Sequence, residues 1–475
     1  MMFVNGGDGM LTFIEVTLFL LPVIFLYLNV IKGDDHLVFR VILFIITVII
    51  VIFHIIFGTV RWQLFPLYIV LLMMIIISIF KMNRPFINRR LKVSLSITVV
   101  GLVIISVAMV FSFPRYQMPK PLGEYLIGTE NFIIENRDRL EKYSEQQGDY
   151  RTFKIQLWYP AETVDGYEQA PWIDDGLEVS RALAKNNFLP FFALDHTTSI
   201  LSNAYYEAPI NDDLDQYPVI VISHGWSGFR NLHADFAEEL ASYGYIVVSI
   251  DHTYGSVATE LDDGFAYLNE EALPSRDTTQ DFLTYANELV DTYASDVIRT
   301  LDYLEELNNP TSRSRFRDRL DLSKIGLLGH STGGGANALV ALQDERVEAL
   351  IGLDAWVEPI EDSALSQGLT IPSLFLRSES WETGENNAYL YDLIEQSSDA
   401  LLYQIDGTTH FDFAMIYMYS PLTKYIGFTG SVESERLTLM LKSMIVSFFN
   451  EELDYTNNVY TFPTAWDEVR HIEIP

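Results

Sequence analysis

The amino-acid sequence predicts an α/β fold, a mostly parallel sheet with helices on both faces, preceded by four apolar helices. Three observations carry this reading. Short apolar runs alternate with helix-like segments between residues 219 and 405. A glycine-rich turn follows one of those runs, at Gly329-His330-Ser331-Thr332-Gly333-Gly334-Gly335. The composition also changes abruptly near residue 114.

The apolar runs 219–223, 245–250, 324–328, 348–353, 371–376 and 400–405 have the length of buried strands. Helical patterns at 234–242, 281–307, 334–342 and 386–395 lie between most of them, and 433–450 forms a last amphipathic helix. Alternation of this kind builds βαβ units, whose right-handed crossovers gather the functional loops at the C-terminal ends of the strands. Earlier, 152–160 alternates as an antiparallel strand should, and 161–216 is rich in aromatics, among them Trp172, Phe188, Phe191 and Phe192. That stretch suits a flap or the cover of a sheet edge.

Before residue 114 lie four apolar runs, 11–31, 37–57, 63–80 and 93–113. At 1.5 Å per residue each is about long enough to span a hydrocarbon core. The first has no Lys or Arg before Lys32, so it lacks the basic start of a signal peptide. The loop between the third and fourth runs holds Lys81, Arg84, Arg89, Arg90 and Lys92 and is expected on the cytoplasmic side. The N-terminus and everything after residue 114 then fall outside, giving a multi-pass protein of the cell membrane with an extracytoplasmic domain. Glu15 and His54 lie inside these runs near the outer surface, where they are expected to reach the headgroups or to pair with each other. The expected organisation is a four-helix region over 1–114, a linker over 115–150, the α/β domain over 151–455 and a tail over 456–475.

Charge follows the same division. The chain has 31 Lys and Arg against 64 Asp and Glu. Eight of the bases and four of the acids lie in the first 113 residues, leaving 23 and 60 for the rest. So acidic a domain repels phosphates and excludes nucleic acid as a partner. The absence of cysteine excludes disulfides and thiolate chemistry, so the domain must hold itself together by its core.

The turn at 329–333 matches G-x-S-x-G directly after an apolar strand and before a helix, the setting of a nucleophile elbow in an α/β-hydrolase fold. Ser331 would be the nucleophile of an acyl-transfer reaction. A serine hydroxyl needs a base, and the base a carboxylate, in the chain order Ser, Asp or Glu, His. Two histidines follow Ser331, and His410, after a strand, is the candidate base; His471 lies in the tail. For the acid, both Asp354 and Glu379 sit at the ends of strands, and periodicity does not choose between them. The oxyanion requires two backbone donors. These are assigned to the amides of Thr332, after the nucleophile, and Trp226, in the loop Ser223-His224-Gly225-Trp226-Ser227-Gly228. His224 and His252 precede the nucleophile and are read as loop braces. The sequence carries no H-E-x-x-H or carboxylate-rich cluster, so neither metal nor cofactor is expected.

These segments resemble the platelet-activating-factor acetylhydrolase family of serine esterases. The resemblance runs through Ser223–Gly228 with Phe229 and Arg230, Leu240-Ala241-Ser242-Tyr243-Gly244-Tyr245, Asp251-His252, Gly329–Gly334, Leu353-Asp354-Ala355-Trp356 and Thr409-His410-Phe411. It spans about residues 150–450. It implies Asp354 as the acid, in its Leu-Asp-Ala-Trp setting, and calcium-independent hydrolysis of short or oxidised acyl chains from phospholipids. Trp226 stands where a smaller aliphatic residue is usual, and Thr332 where a bulkier aromatic is usual. The four-helix region is not part of the family's secreted members. The elbow is also similar to that of bacterial cutinase-like polyester hydrolases, which place the acid one strand later, where this chain has Glu379. The expected function is a membrane-anchored serine carboxylesterase acting on lipid or short-chain esters. The alternative is a catalytically silent hydrolase fold serving as a sensor or binding module. The sequence does not specify an oligomeric state.

Overall fold

The computed structural model describes residues 12–27, 37–58, 60–83, 89–144, 148–455 and 466–474. The chain divides into two compact units.

The first unit comprises residues 1–117 together with 192–200 and 418–422. Its helices are α1 (Phe13–Leu26), α2 (Leu37–Phe57), α3 (Phe65–Asn83) and α4 (Arg89–Ser112). Among the described residues, two stretches, Trp62–Ile79 and Arg90–Ser112, are long and apolar enough to cross a membrane. The expectation of four such spans is thereby reduced to two. α1 ends after 14 residues, or about 21 Å at a 1.5 Å rise. The apolar stretch of α2 is Val41–Phe57, beginning after Arg40. Leu11 and residues 28–31 of the first run, and Arg84 of the basic loop, lie outside the described residues. Leu18, Leu21, Leu64, Leu67, Val70 and Leu71 are buried between the helices, whereas Ile56, Phe57, Ile97 and Ile104 face outward. Glu15 and His54 do not pair with each other. Glu15 forms a buried ion pair with Arg61 at 2.9 Å, and His54 Nε2 lies 2.9 Å from the Tyr68 hydroxyl. Each polar group thus meets a partner within the bundle, which removes the penalty of leaving it bare in apolar surroundings.

The second unit holds an eleven-stranded sheet. Its strands are β1 (Leu126–Leu140), β2 (Tyr150–Ala161), β3 (Gln169–Pro171), β4 (Leu201–Tyr206), β5 (Tyr217–Ser223), β6 (Ile246–Asp251), β9 (Leu320–His330), β10 (Val347–Leu353), β11 (Ser373–Ser378), β12 (Ala400–Ile405) and β13 (Val469–His471). A separate hairpin is formed by β7 (Ala258–Leu261) and β8 (Gly264–Tyr267). The order is β13-β12-β11-β10-β9-β5-β6-β2-β1-β4-β3. From β12 to β6 every pairing is parallel, and β2 joins β6 antiparallel. The parallel strands are apolar because helices cover both faces. These helices are α5 (Gly176–Asn186), α6 (Ala234–Ser242), α7 (Phe282–Asn308), α8 (Thr332–Gln343), the short α9 (Asp362–Leu365), α10 (Asn386–Gln396) and α11 (Ser434–Glu452). Val219, Val221, Val248, Leu327, Leu350 and Phe375 form one continuous core with Leu289, Val297, Leu301 and Val340 of the helices.

Two boundaries differ from the sequence reading. The stretch 115–150 is not only a linker, because β1 runs through it and pairs with β2 over its length. The stretch 456–475 is not only a tail, because β13 adds an antiparallel strand beside β12; residues 456–465 lie outside the described residues. β1 carries Glu130, Glu135, Arg137, Asp138 and Arg139, charges at both odd and even positions, which hides a strand from an apolar-run criterion.

Candidate active site

β9 delivers its last residue, His330, to a turn in which Ser331 adopts φ 55° and ψ −121°. A non-glycine residue in this region costs roughly 1–3 kcal/mol and persists only where its surroundings hold it. They do so here through three main-chain bonds. Ser331 N–H donates to the Leu353 carbonyl at 3.0 Å, and the Ser331 carbonyl accepts from Trp356 N–H at 2.9 Å and Gly335 N–H at 3.0 Å. Gly333 is required for close approach: a Cβ there would lie 2.3 Å from the Ser223 carbonyl oxygen. The nucleophile turn is thereby pressed onto the loop after β5. Gly225 of that loop abuts the serine in turn, since a Cβ on it would fall 2.9 Å from Ser331 Cβ.

β10 ends at Leu353 and places Asp354 next, itself at φ 42°. The Asp354 carboxylate is buried and accepts from Ser378 N–H at 2.7 Å, the Ser378 hydroxyl at 2.6 Å and His410 Nδ1 at 2.9 Å. His410 lies in the loop after β12. Its own N–H donates to Ser380 Oγ at 2.9 Å, and its carbonyl accepts from His330 Nε2 at 3.0 Å. The His330 and His410 rings lie 4.5 Å apart, so the base candidate stands against the residue before the nucleophile. Because Nδ1 faces a carboxylate, it carries a proton, leaving Nε2 as the nitrogen that can accept another. Among the described hydrogen bonds, none joins the Ser331 hydroxyl to His410. Such contacts often close only when substrate is bound.

Glu379, the other acid candidate, is not brought to His410. Its carboxylate accepts from Gly407 N–H at 2.6 Å at the surface and shapes the loop that carries the histidine. Among the described hydrogen bonds, neither the Trp226 nor the Thr332 amide has an acceptor, and both residues flank the serine, Thr332 as the first residue of α8 and Trp226 in the loop whose Gly225 touches it. His224 and His252 are buried in the second unit, where His252 Nδ1 lies 3.0 Å from Asp296. Burial pushes both imidazoles below their ordinary range, so both rings are neutral near pH 7. His330 is pushed down as well, first by burial and then by the neighbouring His410 charge.

Three contributors escaped sequence reasoning. Trp381 stacks face to face on His410, with centroids 4.3 Å apart and planes 3° from parallel. Ser378 orients Asp354, and His330 ties down the His410 backbone. The run Ser378-Glu379-Ser380-Trp381 directly after a strand was the available signal. Among the described residues no group of His, Cys, Asp and Glu is arranged to hold a metal.

The fold and its relatives define a carboxylic ester hydrolase of the α/β-hydrolase type. Platelet-activating factor acetylhydrolase of Canis lupus familiaris is 24% identical over 326 residues, covering 64% of this chain and 69% of that protein. The Gallus gallus counterpart is 26% identical over 334 residues, covering 63% and 74%. Cutinase est2 of Thermobifida alba is 25% identical over 198 residues, covering 41% and 53%. Among solved structures, a ferulic acid esterase from Streptomyces cinnamoneus superposes with a TM-score of 0.60 at 22% identity, over 75% of this chain and 99% of its own, a likeness of fold. The model of platelet-activating factor acetylhydrolase, isoform II, matches residues 110–470, and the chain belongs to that family.

Proposed function

We propose that this chain is a membrane-anchored serine esterase that cleaves lipid or short-chain acyl esters without calcium. The observation that carries the reading is the buried Asp354 carboxylate bonded to His410 Nδ1 at 2.9 Å, beside a serine held at positive φ. His410 Nε2 takes the Ser331 proton as Oγ attacks the ester carbonyl. The Asp354 charge stabilises the imidazolium that forms. The amides of Trp226 and Thr332 hold the oxyanion of the tetrahedral intermediate. The imidazolium then protonates the leaving alcohol, and water, activated by the same nitrogen, releases the acyl group.

Anchoring through the N-terminal unit is supported by the two long apolar helices and by isoleucines and phenylalanines that face outward from the bundle. With the basic end of α4 on the cytoplasmic side, the catalytic unit stands outside the cell. Tethering raises the local concentration of ester-bearing lipid. The exposed Phe188 and Phe191 are suited to apolar contact with such a substrate.

The test uses the full chain in detergent. It is expected to react with a fluorophosphonate probe and to hydrolyse p-nitrophenyl acetate equally with and without EGTA. A panel from acetyl esters to long-chain phospholipids then sets the acyl range. Equal hydrolysis by Ser331→Ala, or no labelling of the native chain, would leave the sensor or binding-module reading standing instead.

A further inference from the structure

A peptide unit is planar and trans, so its carbonyl and amide point in opposite directions. Whatever holds the carbonyl therefore aims the amide. The Gly225 carbonyl belongs to the same peptide unit as the Trp226 amide, and it is held twice. It lies 2.7 Å from His224 Nδ1 and accepts from Gly228 N–H at 3.0 Å.

The far side of the imidazole is fixed too. His224 Nε2 accepts from His252 N–H at 3.2 Å and lies 2.8 Å from Ser256 Oγ. With Nε2 an acceptor, the one proton of the neutral ring must sit on Nδ1, pointing at the Gly225 carbonyl. The ring is wholly buried, edge-on to His252 at 5.2 Å and Tyr293 at 5.8 Å. Gly228 closes the arrangement: a Cβ there would come within 2.9 Å of both the Gly225 oxygen and His224 Nδ1.

We propose that His224 is a positioning residue for ester hydrolysis: through the Gly225 carbonyl it keeps the Trp226 N–H aimed at the oxyanion that forms over Ser331. The inference rests on the esterase reading. Without the His224 donor the 225–226 peptide keeps only the Gly228 N–H bond and turns more readily. A turned peptide would present a carbonyl oxygen, which repels an oxyanion. The interaction matters only when negative charge has formed, so its loss should appear in kcat and leave KM nearly unchanged.

The experiment compares native protein, His224→Leu and His224→Asn, all as full chains in detergent. The readouts are kcat and KM on p-nitrophenyl acetate, the inhibition constant of a trifluoromethyl ketone, and the melting temperature. The Asn amide nitrogen can occupy the place of Nδ1. Loss of one oxyanion donor lowers kcat about 10²-fold. His224→Leu is expected to show a drop of that order with KM within threefold, and to bind the ketone weaker in parallel. His224→Asn should recover at least a tenth of native kcat. If folded His224→Leu keeps kcat and ketone affinity within threefold of native, the proposal falls. Should that variant not fold, Gly228→Ala decides by the same criterion, because its methyl presses on both the ring and the carbonyl. An inactive native chain, or a Ser331→Ala variant as active as native, would overturn the esterase reading rather than this one.

Discussion

Two histidine–aspartate pairs lie in the catalytic unit with nearly the same geometry and opposite fates. His410 meets Asp354 through Nδ1 at 2.9 Å, and His252 meets Asp296 through Nδ1 at 3.0 Å. Both carboxylates are buried. The His410 side chain keeps 20% of its surface exposed, however, whereas the His252 side chain has none. His252 Nε2 is buried without a partner, and the ring is stacked on Tyr293 at 3.8 Å. The carboxylates differ as well. Among the described residues Asp354 is otherwise bonded only to the Ser378 amide and hydroxyl, while Asp296 also pairs with Arg151 at 2.7 Å. Burial alone would raise the Asp296 carboxyl, and the Arg151 charge outweighs it, holding the group below its usual range. A carboxylate whose charge is committed to a guanidinium, behind an enclosed ring, is a scaffold element. A carboxylate with neutral donors, behind a ring open on one side, suits the proposed role of stabilising an imidazolium.

The sharpest way to break this comparison is to make the same change in both pairs. Asp354→Asn is expected to lower kcat by about 10³–10⁴-fold on p-nitrophenyl acetate, with a melting temperature close to native. Asp296→Asn should do the reverse. It leaves Arg151 with Glu141 as its remaining buried carboxylate partner, and breaking such a pair costs about 3–5 kcal/mol. Thermal melts should show the loss, while kcat per folded molecule stays within tenfold. A reversed outcome would mean that the two pairs had been assigned the wrong way round.

Another buried histidine, His233, extends the comparison. Among the described residues His233 has neither a carboxylate nor any partner for its ring nitrogens, and burial lowers it to about 3. Its folded value lies below the unfolded one of about 6.5. The associated stability is therefore complete above pH 6.5 and is lost as pH falls from there towards 3, at about 1.4 kcal/mol per pH unit. His233→Phe should flatten the fall in melting temperature between pH 7 and pH 4. Parallel curves for the two proteins would show that the ring is not held neutral.

The smallest expected effect belongs to Trp381. Its indole covers one face of His410 and would attract the imidazolium by about 0.5–2 kcal/mol. Trp381→Leu should reduce kcat by roughly 2- to 30-fold, and Trp381→Phe by less. An unchanged kcat in Trp381→Leu would confine the tryptophan to packing.

Much of the catalytic unit could be read from the chain because its signals are local. The runs 348–353 and 400–405 coincide closely with β10 and β12, since strands of a covered parallel sheet are mostly apolar. The turn at Ser331 was legible because its strain demands small neighbours at fixed positions. β1 escaped because five charged residues, Glu130, Glu135, Arg137, Asp138 and Arg139, interrupt its apolar positions. Asp354 and Glu379 could not be separated by periodicity, because each merely ends a strand; what distinguishes them is which one faces His410, a matter of tertiary approach. The same holds for Trp381 on His410 and for Arg151 with Asp296, contacts between residues far apart in the chain. In the first unit, hydropathy indicated four helices; four are present among the described residues, and two stretches of them are long and apolar enough to cross a membrane.

The contact of Gly225 with Ser331 leaves no space for even a methyl group between the two loops. Directed evolution towards bulkier esters is therefore confined to side chains that border the scissile bond. Trp226 is the natural place to test this: its half-buried indole packs against the core of the catalytic unit, and trimming it leaves the main-chain contact between the two loops untouched.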